Sequence, residues 1–157
     1  MNSEQFLTST IRPVLEDMGM YSKSAEKVLL MTACHESGGF RYRAQVGGPA
    51  RSYFQIEPNT LDDLYENYLS YRPERRELVD SYLPDDMDRK EALEESDDYA
   101  CAVARMIYAR VPEALPVEDD TEAMADYCKQ YWNTELGKAT PEKYLVDYYR
   151  YKPPGYD

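Results

Sequence analysis

A chain of 157 residues, 43% of them hydrophobic, is long enough to bury one real core and short enough to be read as one domain. Thirty acidic residues against eighteen basic ones give a formal charge of −12 with no Lys/Arg stripe, which argues against nucleic acid or an anionic membrane surface as a principal partner. Cys34, Cys101 and Cys128 lack CxxC spacing and each falls within an apolar helical pattern. The expectation is therefore reduced core thiols, with no disulfide framework, no metal and no cofactor.

Residues 1–7 lack the charged and continuous apolar regions of a secretory signal, and no run approaches the roughly 18 apolar residues of a membrane span. Synthesis in a cytoplasm without a signal peptide is expected. Sixteen Tyr stand against three Phe and one Trp. Tyrosine combines an apolar ring with a polar tip, which suits helix packing and sugar-binding clefts alike.

In chain order, Phe6, Leu7, Ile11, Val14, Leu15 and Met18 fall at helical spacing, with Asn2 and Gln5 placed as a cap and its return partner and a bend at Pro13. Gly19 ends this helix. After Ser22 a second run is apolar on nearly every side, the mark of a buried central helix, and Ser37-Gly38-Gly39 stops it. Residues 40–56 carry Gly47-Gly48-Pro49 and no sustained helical period, so a loop with at most a small β hairpin is expected.

Leu61, Leu64, Tyr65, Tyr68 and Leu69 form the face of a further helix, with Asn59 or Thr60 at its cap. Residues 70–95 are charged and Pro-punctuated, predicting a solvated excursion with short helices near Leu78-Val79 and Met87 to Leu93. Ser96 caps a helix with a face of small residues (Ala100, Val103, Ala104, Ile107). Thr121 is placed to cap the next, which carries Met124, Tyr127, Cys128, Tyr131 and Trp132. Thr140-Pro141 opens the last helix, with Pro at its first position, and residues 151–157 read as a tail.

Glu36 sits where the buried run meets its glycine stop. A helix C-terminus disfavours an ionised carboxyl by only about 0.3–1 kcal/mol, well under one pKa unit. A general acid with a pKa near neutrality therefore needs desolvation by apolar neighbours to supply most of the shift. His35 is the sole histidine, which is poor support for a metal site, and Ser37 has no nucleophile-elbow context. Glu57 and Asp62 are candidates for a second catalytic carboxylate.

Three segments in order, His35-Glu36-Ser37-Gly38-Gly39-Phe40, then Pro49-Ala50-Arg51-Ser52-Tyr53-Phe54-Gln55-Ile56-Glu57-Pro58, then Gln130-Tyr131-Trp132-Asn133, resemble the motifs of the soluble lytic transglycosylase family. That family's pattern is Glu-Ser-Gly-aromatic, Gly-Ala-any-Gly-Leu-Met-Gln-Ile-any-Pro, and Ala-Tyr-Asn. The resemblance spans about residues 24–150, after an N-terminal helix within residues 1–23. It implies a mainly α, lysozyme-like single domain with Glu36 as catalytic acid and Ser37, Gln55, Tyr131, Trp132 and Asn133 as substrate-binding residues. Pro49 and Ser52 depart from the family's glycines, and Trp132 stands where its tyrosine is usual.

The implied partner is peptidoglycan, cleaved at the β-1,4 bond between N-acetylmuramic acid and N-acetylglucosamine with formation of a 1,6-anhydro product. A second carboxylate holding water would instead give hydrolysis, as in a lysozyme. The missing signal points to a phage protein, released at lysis or carried in the particle beside other virion proteins. A virion structural or adaptor protein with this fold and little activity is the alternative from another class.

Overall fold

The computed structural model describes residues 1–133 and 137–157. Helix accounts for 61% of the chain, and among the described residues the extended contacts are isolated bridges. Among the described residues no helix is long and apolar enough to cross a membrane. The elements that follow are organised around one buried helix.

Helix α1 (Ser3–Phe6) opens with the expected capping box: Gln5 N–H donates to Asn2 Oδ1 and Asn2 N–H donates to Gln5 Oε1, both at 2.9 Å. A π turn, Leu7–Ile11, joins it to α2 (Arg12–Asp17). The sequence predicts a bend at Pro13, and the widened turn stands just ahead of it. Proline lacks an N–H and its ring crowds the carbonyl four residues back, so the chain takes an i→i−5 bond, Arg12 N–H to Leu7 C=O, before the proline. Gly19, with φ +69°, closes the helix in the left-handed region as Met20 N–H reaches Leu15 C=O at 3.0 Å.

Helix α3 (Lys23–Glu36) is capped by Ser22, whose Oγ accepts from Ala25 N–H at 3.0 Å. Residues 25–34 are all buried, as an all-round apolar pattern requires. Around α3 pack α2, α7 (Asp97–Ala109), α8 (Thr121–Cys128) and α9 (Pro141–Tyr151). The three cysteines are free and buried in this core. Desolvation pushes the Cys34 thiol up to about 12 and the Cys128 thiol up to about 11, so neither is a nucleophile at neutral pH.

Two charged side chains on α3 are buried, and each is hydrogen-bonded. Glu26 accepts from Arg12 Nε at 2.6 Å, Lys23 Nζ at 3.0 Å and the Tyr156 hydroxyl at 2.7 Å. Lys27 Nζ donates to Glu118 C=O at 2.6 Å and Thr121 Oγ1 at 2.7 Å. Residues 151–157 are thus tied down rather than loose: Pro153 is buried, and the Tyr148 hydroxyl donates to Asp157 C=O at 2.5 Å.

The loop at residues 40–56 has no regular strand. The expected small hairpin is reduced to antiparallel bridges Ala44–Arg51 and Arg51–Ile56. Helix α4 (Pro58–Asn67) follows, but neither Asn59 nor Thr60 caps it; Pro58 takes the first turn and Glu57 the cap position, without a side-chain cap. A 3-10 turn (Leu69–Tyr71), α5 (Pro73–Asp80) and α6 (Arg89–Glu95) form the excursion. It is anchored, not merely solvated: Val79, Ala92 and Leu93 are buried, and the Tyr65 hydroxyl bonds Asp80 at 2.7 Å and the Tyr99 hydroxyl at 2.8 Å. Ser96 and Thr140 cap α7 and α9 as expected. Thr121 does not cap α8, because its hydroxyl is engaged by Lys27 and Asp120 takes the cap through Ala123 N–H at 3.0 Å.

The hydrogen bonds to Glu26 outweigh the penalty of its burial and hold its carboxyl at about 2, below the ordinary 4.5. Its folded pKa is depressed, so its stabilisation is fully present above about pH 4.5 and is lost as pH falls through 2. Glu26→Gln is expected to cost on the order of 3 kcal/mol near neutral pH. Urea unfolding of both proteins at pH 6, 4 and 2.5 should show this difference shrinking as the medium becomes more acidic.

Candidate active site

The end of α3 delivers Glu36 to a cavity of about 440 Å³ whose walls also include Gln55, Ile56, Glu57, Thr60, Ile107, Arg110, Tyr131, Trp132, Asn133 and Gly137. That size is in the range of small-ligand clefts. Glu36, Gln55, Tyr131, Trp132 and Asn133, drawn from three distant segments, are therefore brought together. Asp62 is exposed and is not part of the wall, whereas Glu57 is.

Ser37 is different. It is fully buried, its hydroxyl donating to Ala33 C=O at 2.6 Å and accepting from Phe40 N–H at 2.6 Å. It is not among the residues of the cavity wall, so the expected substrate contact is replaced by a brace for the turn leaving α3. Gly38 and Gly39 (φ +63° and +77°) and Phe40 (φ +68°) carry that turn through the left-handed region. Gly39 is also demanded by space, since a Cβ there would lie 2.3 Å from the Tyr151 ring. Phe40 tolerates a conformation unusual for a bulky residue because its ring is packed on Phe6 and Tyr53, each at 5.3 Å.

The loop carrying Gln55 is clipped to the helices by two arginines. Arg43 makes a two-pronged bond to Asp97 at 3.1 and 2.9 Å, and Arg51 pairs with Glu94 at 3.0 Å. Ser52 and Gln55 have φ of +74° and +51°. Ser52 C=O accepts both Gln55 N–H (3.0 Å) and Gln55 Nε2 (2.9 Å), which fixes the glutamine side chain against its own turn.

On the opposite wall, α8 passes into a π turn, Lys129–Asn133. Successive residues on an α-helix diverge by about 100°, and the wider π turn reduces that divergence. It lets the consecutive residues Tyr131, Trp132 and Asn133 all border one cavity. The Trp132 ring lies 5.1 Å from Tyr108 and 6.3 Å from Phe54, and Tyr131 lies 4.7 Å from Tyr127. Lys129 Nζ holds Asn133 Oδ1 at 2.9 Å and Gly137 C=O at 3.0 Å.

Tyr144 on α9 is the site residue that sequence reasoning missed. Its buried hydroxyl donates to Glu36 Oε1 at 3.3 Å. Its ring lies 4.2 Å from that of His35, and His35 Nδ1 is 2.7 Å from Asp147 Oδ2. Only its place on the apolar face of the last helix marked it in the sequence. Arg110 was also missed; it borders the cavity while paired to Asp63 at 2.7 Å.

Burial raises the Glu36 carboxyl to about 7; the Tyr144 hydroxyl opposes the shift and the charge of Glu57 adds to it. Desolvation is thus the dominant cause, as the weakness of the helix dipole requires. The result is an acid that exchanges its proton around neutral pH. Among the described residues no group of three His, Cys, Asp or Glu side chains is placed to hold a metal ion.

A raised carboxyl pKa destabilises the fold as pH rises from about 4.5 through 7, where the unfolded chain is already ionised. Glu36→Gln is accordingly expected to be nearly neutral at pH 4.5 and to stabilise by about 1–3 kcal/mol at pH 8, read by thermal melts at both. The strain at Ser52 is testable by comparing Ser52→Gly with Ser52→Ala. Both remove the hydroxyl that accepts from Phe54 N–H at 3.1 Å, so the glycine form should be the more stable by about 1–2 kcal/mol. In comparisons with protein-family models, with curated proteins and with solved structures, nothing matches the chain.

Proposed function

We propose that this protein is a peptidoglycan-cleaving lytic transglycosylase on a lysozyme-like helical domain, with Glu36 as its single acid and base. The observation that carries the reading is a carboxyl shifted to about 7, bordering a cleft with Gln55, Trp132 and Asn133. These are the positions at which the chain resembles that family. The left-handed φ at Ser52, where the family pattern has glycine, supports the same reading: the backbone keeps a glycine-like conformation under a serine.

In the proposed reaction, protonated Glu36 gives its proton to the glycosidic oxygen as the bond to the muramyl C1 breaks. The Tyr144 hydroxyl stabilises the carboxylate that results. Glu36 then takes the proton of the muramyl C6 hydroxyl as that oxygen bonds C1, which restores the acid and leaves a 1,6-anhydro ring. Gln55, its Nε2 committed to Ser52, offers its amide oxygen to a sugar hydroxyl or N-acetyl N–H, and Trp132 offers an apolar face to a pyranose ring.

Glu57 supports a second reading. It borders the same cavity and raises the Glu36 pKa, so it is placed among the groups that could activate a water for hydrolysis.

Purified protein is expected to clear peptidoglycan in a turbidity or zymogram assay, with activity falling above pH 7 as Glu36 loses its proton. Glu36→Gln should slow clearing by at least about 10²-fold. Mass spectrometry of the released muropeptides should show anhydro products, lighter by one water than hydrolytic ones. Reducing-end products alone would replace the transglycosylase by a muramidase, and no clearing by wild type over a range of pH and salt would leave a structural or adaptor role.

A further inference from the structure

His35 and Glu36 are neighbours on α3, so their side chains leave the helix about 100° apart. Glu36 borders the cleft. His35 lies in a separate hollow with Glu142, Lys143, Val146 and Asp147 of α9, which shares no residue with the cleft wall. A histidine there has no contact with a ligand in the cleft, yet it is held at both ends. Its Nδ1 is 2.7 Å from Asp147 Oδ2, and its ring lies 4.2 Å from the Tyr144 ring at an interplanar angle of 40°.

Tyr144 and Asp147 are three residues apart and share one face of α9. The imidazole therefore spans them, pinned by the carboxylate and pressed on the phenol ring. The Tyr144 hydroxyl in turn meets Glu36 Oε1 at 3.3 Å, near the long limit of a hydrogen bond. A bond that long is lost with a displacement of a few tenths of an ångström, so whatever fixes the tyrosine ring controls whether the carboxylate is stabilised.

We propose that His35, held by Asp147, is a positioning residue for Glu36, setting the Tyr144 ring so that its hydroxyl reaches the carboxyl. The relay runs Asp147 to His35 to Tyr144 to Glu36 and joins a half-buried imidazole–carboxylate contact to the C-terminal end of α3. It deepens the reading of Glu36 as the working acid, but its existence is decided by the carboxyl itself and not by turnover. Among the described residues, Cys34 of α3 lies near Asp147, and Arg110 and Tyr131 share the cavity wall with Glu36. Asp147, Glu142 and Lys143 lie about His35, all from α9; Tyr144 from α9, Cys128 from α8 and Glu57 ahead of α4 lie about Glu36.

The signs separate this relay from the direct field of Asp147, and the double variant with Tyr144→Phe separates it from a change in the charge of the imidazole. Asp147 is an anion, so deleting it would by field alone make Glu36 easier to ionise and lower its midpoint. Loss of Tyr144 positioning does the opposite, because it removes the hydrogen bond that favours the carboxylate.

The test is a ¹³C NMR titration of the Glu36 side-chain carboxyl, assigned by its absence in Glu36→Gln. Asp147→Ala is expected to raise the midpoint by about 0.5–1 unit. Asp147→Asn, which keeps an acceptor for the imidazole, should return it toward wild type. Tyr144→Phe should raise it at least as far, and Asp147→Ala in the Tyr144→Phe background should raise it no further. A midpoint that falls or stays in place in Asp147→Ala, or a further rise in the double variant, overturns the relay. Because no glycan enters the measurement, a protein that clears no peptidoglycan can still show the relay, and an active one can still lack it.

Discussion

The burial of α3 on every side is the constraint on which the rest depends. A helix with no solvent face must be enclosed by other elements, and here α2, α7, α8 and α9 supply the enclosure. Its last residue then stands where the enclosure ends, so the carboxyl of Glu36 is desolvated by the core behind it while it borders the cleft in front. The same burial that stabilises the domain makes its key carboxyl costly to ionise. Stability and ionisation of the carboxyl are therefore opposed at this residue.

The loop opposite α3 achieves precision by different means. It has almost no ladder, so its shape comes from residues placed in the left-handed region and from clips to α6 and α7. Phe40, Ser52 and Gln55 each occupy backbone conformations that cost an L-residue energy, and each is compensated locally: by aromatic packing for Phe40, and by hydrogen bonds at the turn for Ser52 and Gln55. The π turn at residues 129–133 similarly departs from regular helix where three side chains must share one wall. Irregular backbone thus flanks the cleft on two sides, besides the π turn at residues 7–11 and the 3-10 turn at residues 69–71 away from it.

Much of the architecture was legible because periodicity and caps are local. The Asn2–Gln5 box, Ser22, Ser96, Thr140-Pro141 and the glycine stop after Glu36 all act where simple rules place them. Thr121 failed for a reason no local pattern contains, and the Asn59/Thr60 pair for one that a local rule, proline at the first helical position, does contain. Lys27, far along the chain, engages the Thr121 hydroxyl, and a proline already occupied the start of α4. In the site, Glu36, Gln55, Tyr131, Trp132 and Asn133 were visible as ordered segments, but Ser37 turned inward and Tyr144 was hidden among many tyrosines. A phenol's function depends on what its hydroxyl reaches, and that is set by how α9 lies against α3.

The bonds to Glu26 carry a consequence for the order of folding. Arg12 lies close in sequence to Glu26, but Tyr156 lies far beyond it, and both donate to the same buried carboxylate. During synthesis α3 is complete long before Tyr156 is joined to the chain, so its acidic side chain stays hydrated or only partly compensated through most of elongation. The central helix therefore reaches its final environment as a late, long-range event, closing a loop of most of the chain's length. Such closures are slow relative to local helix formation, and they make residues 151–157 a latch on the interior.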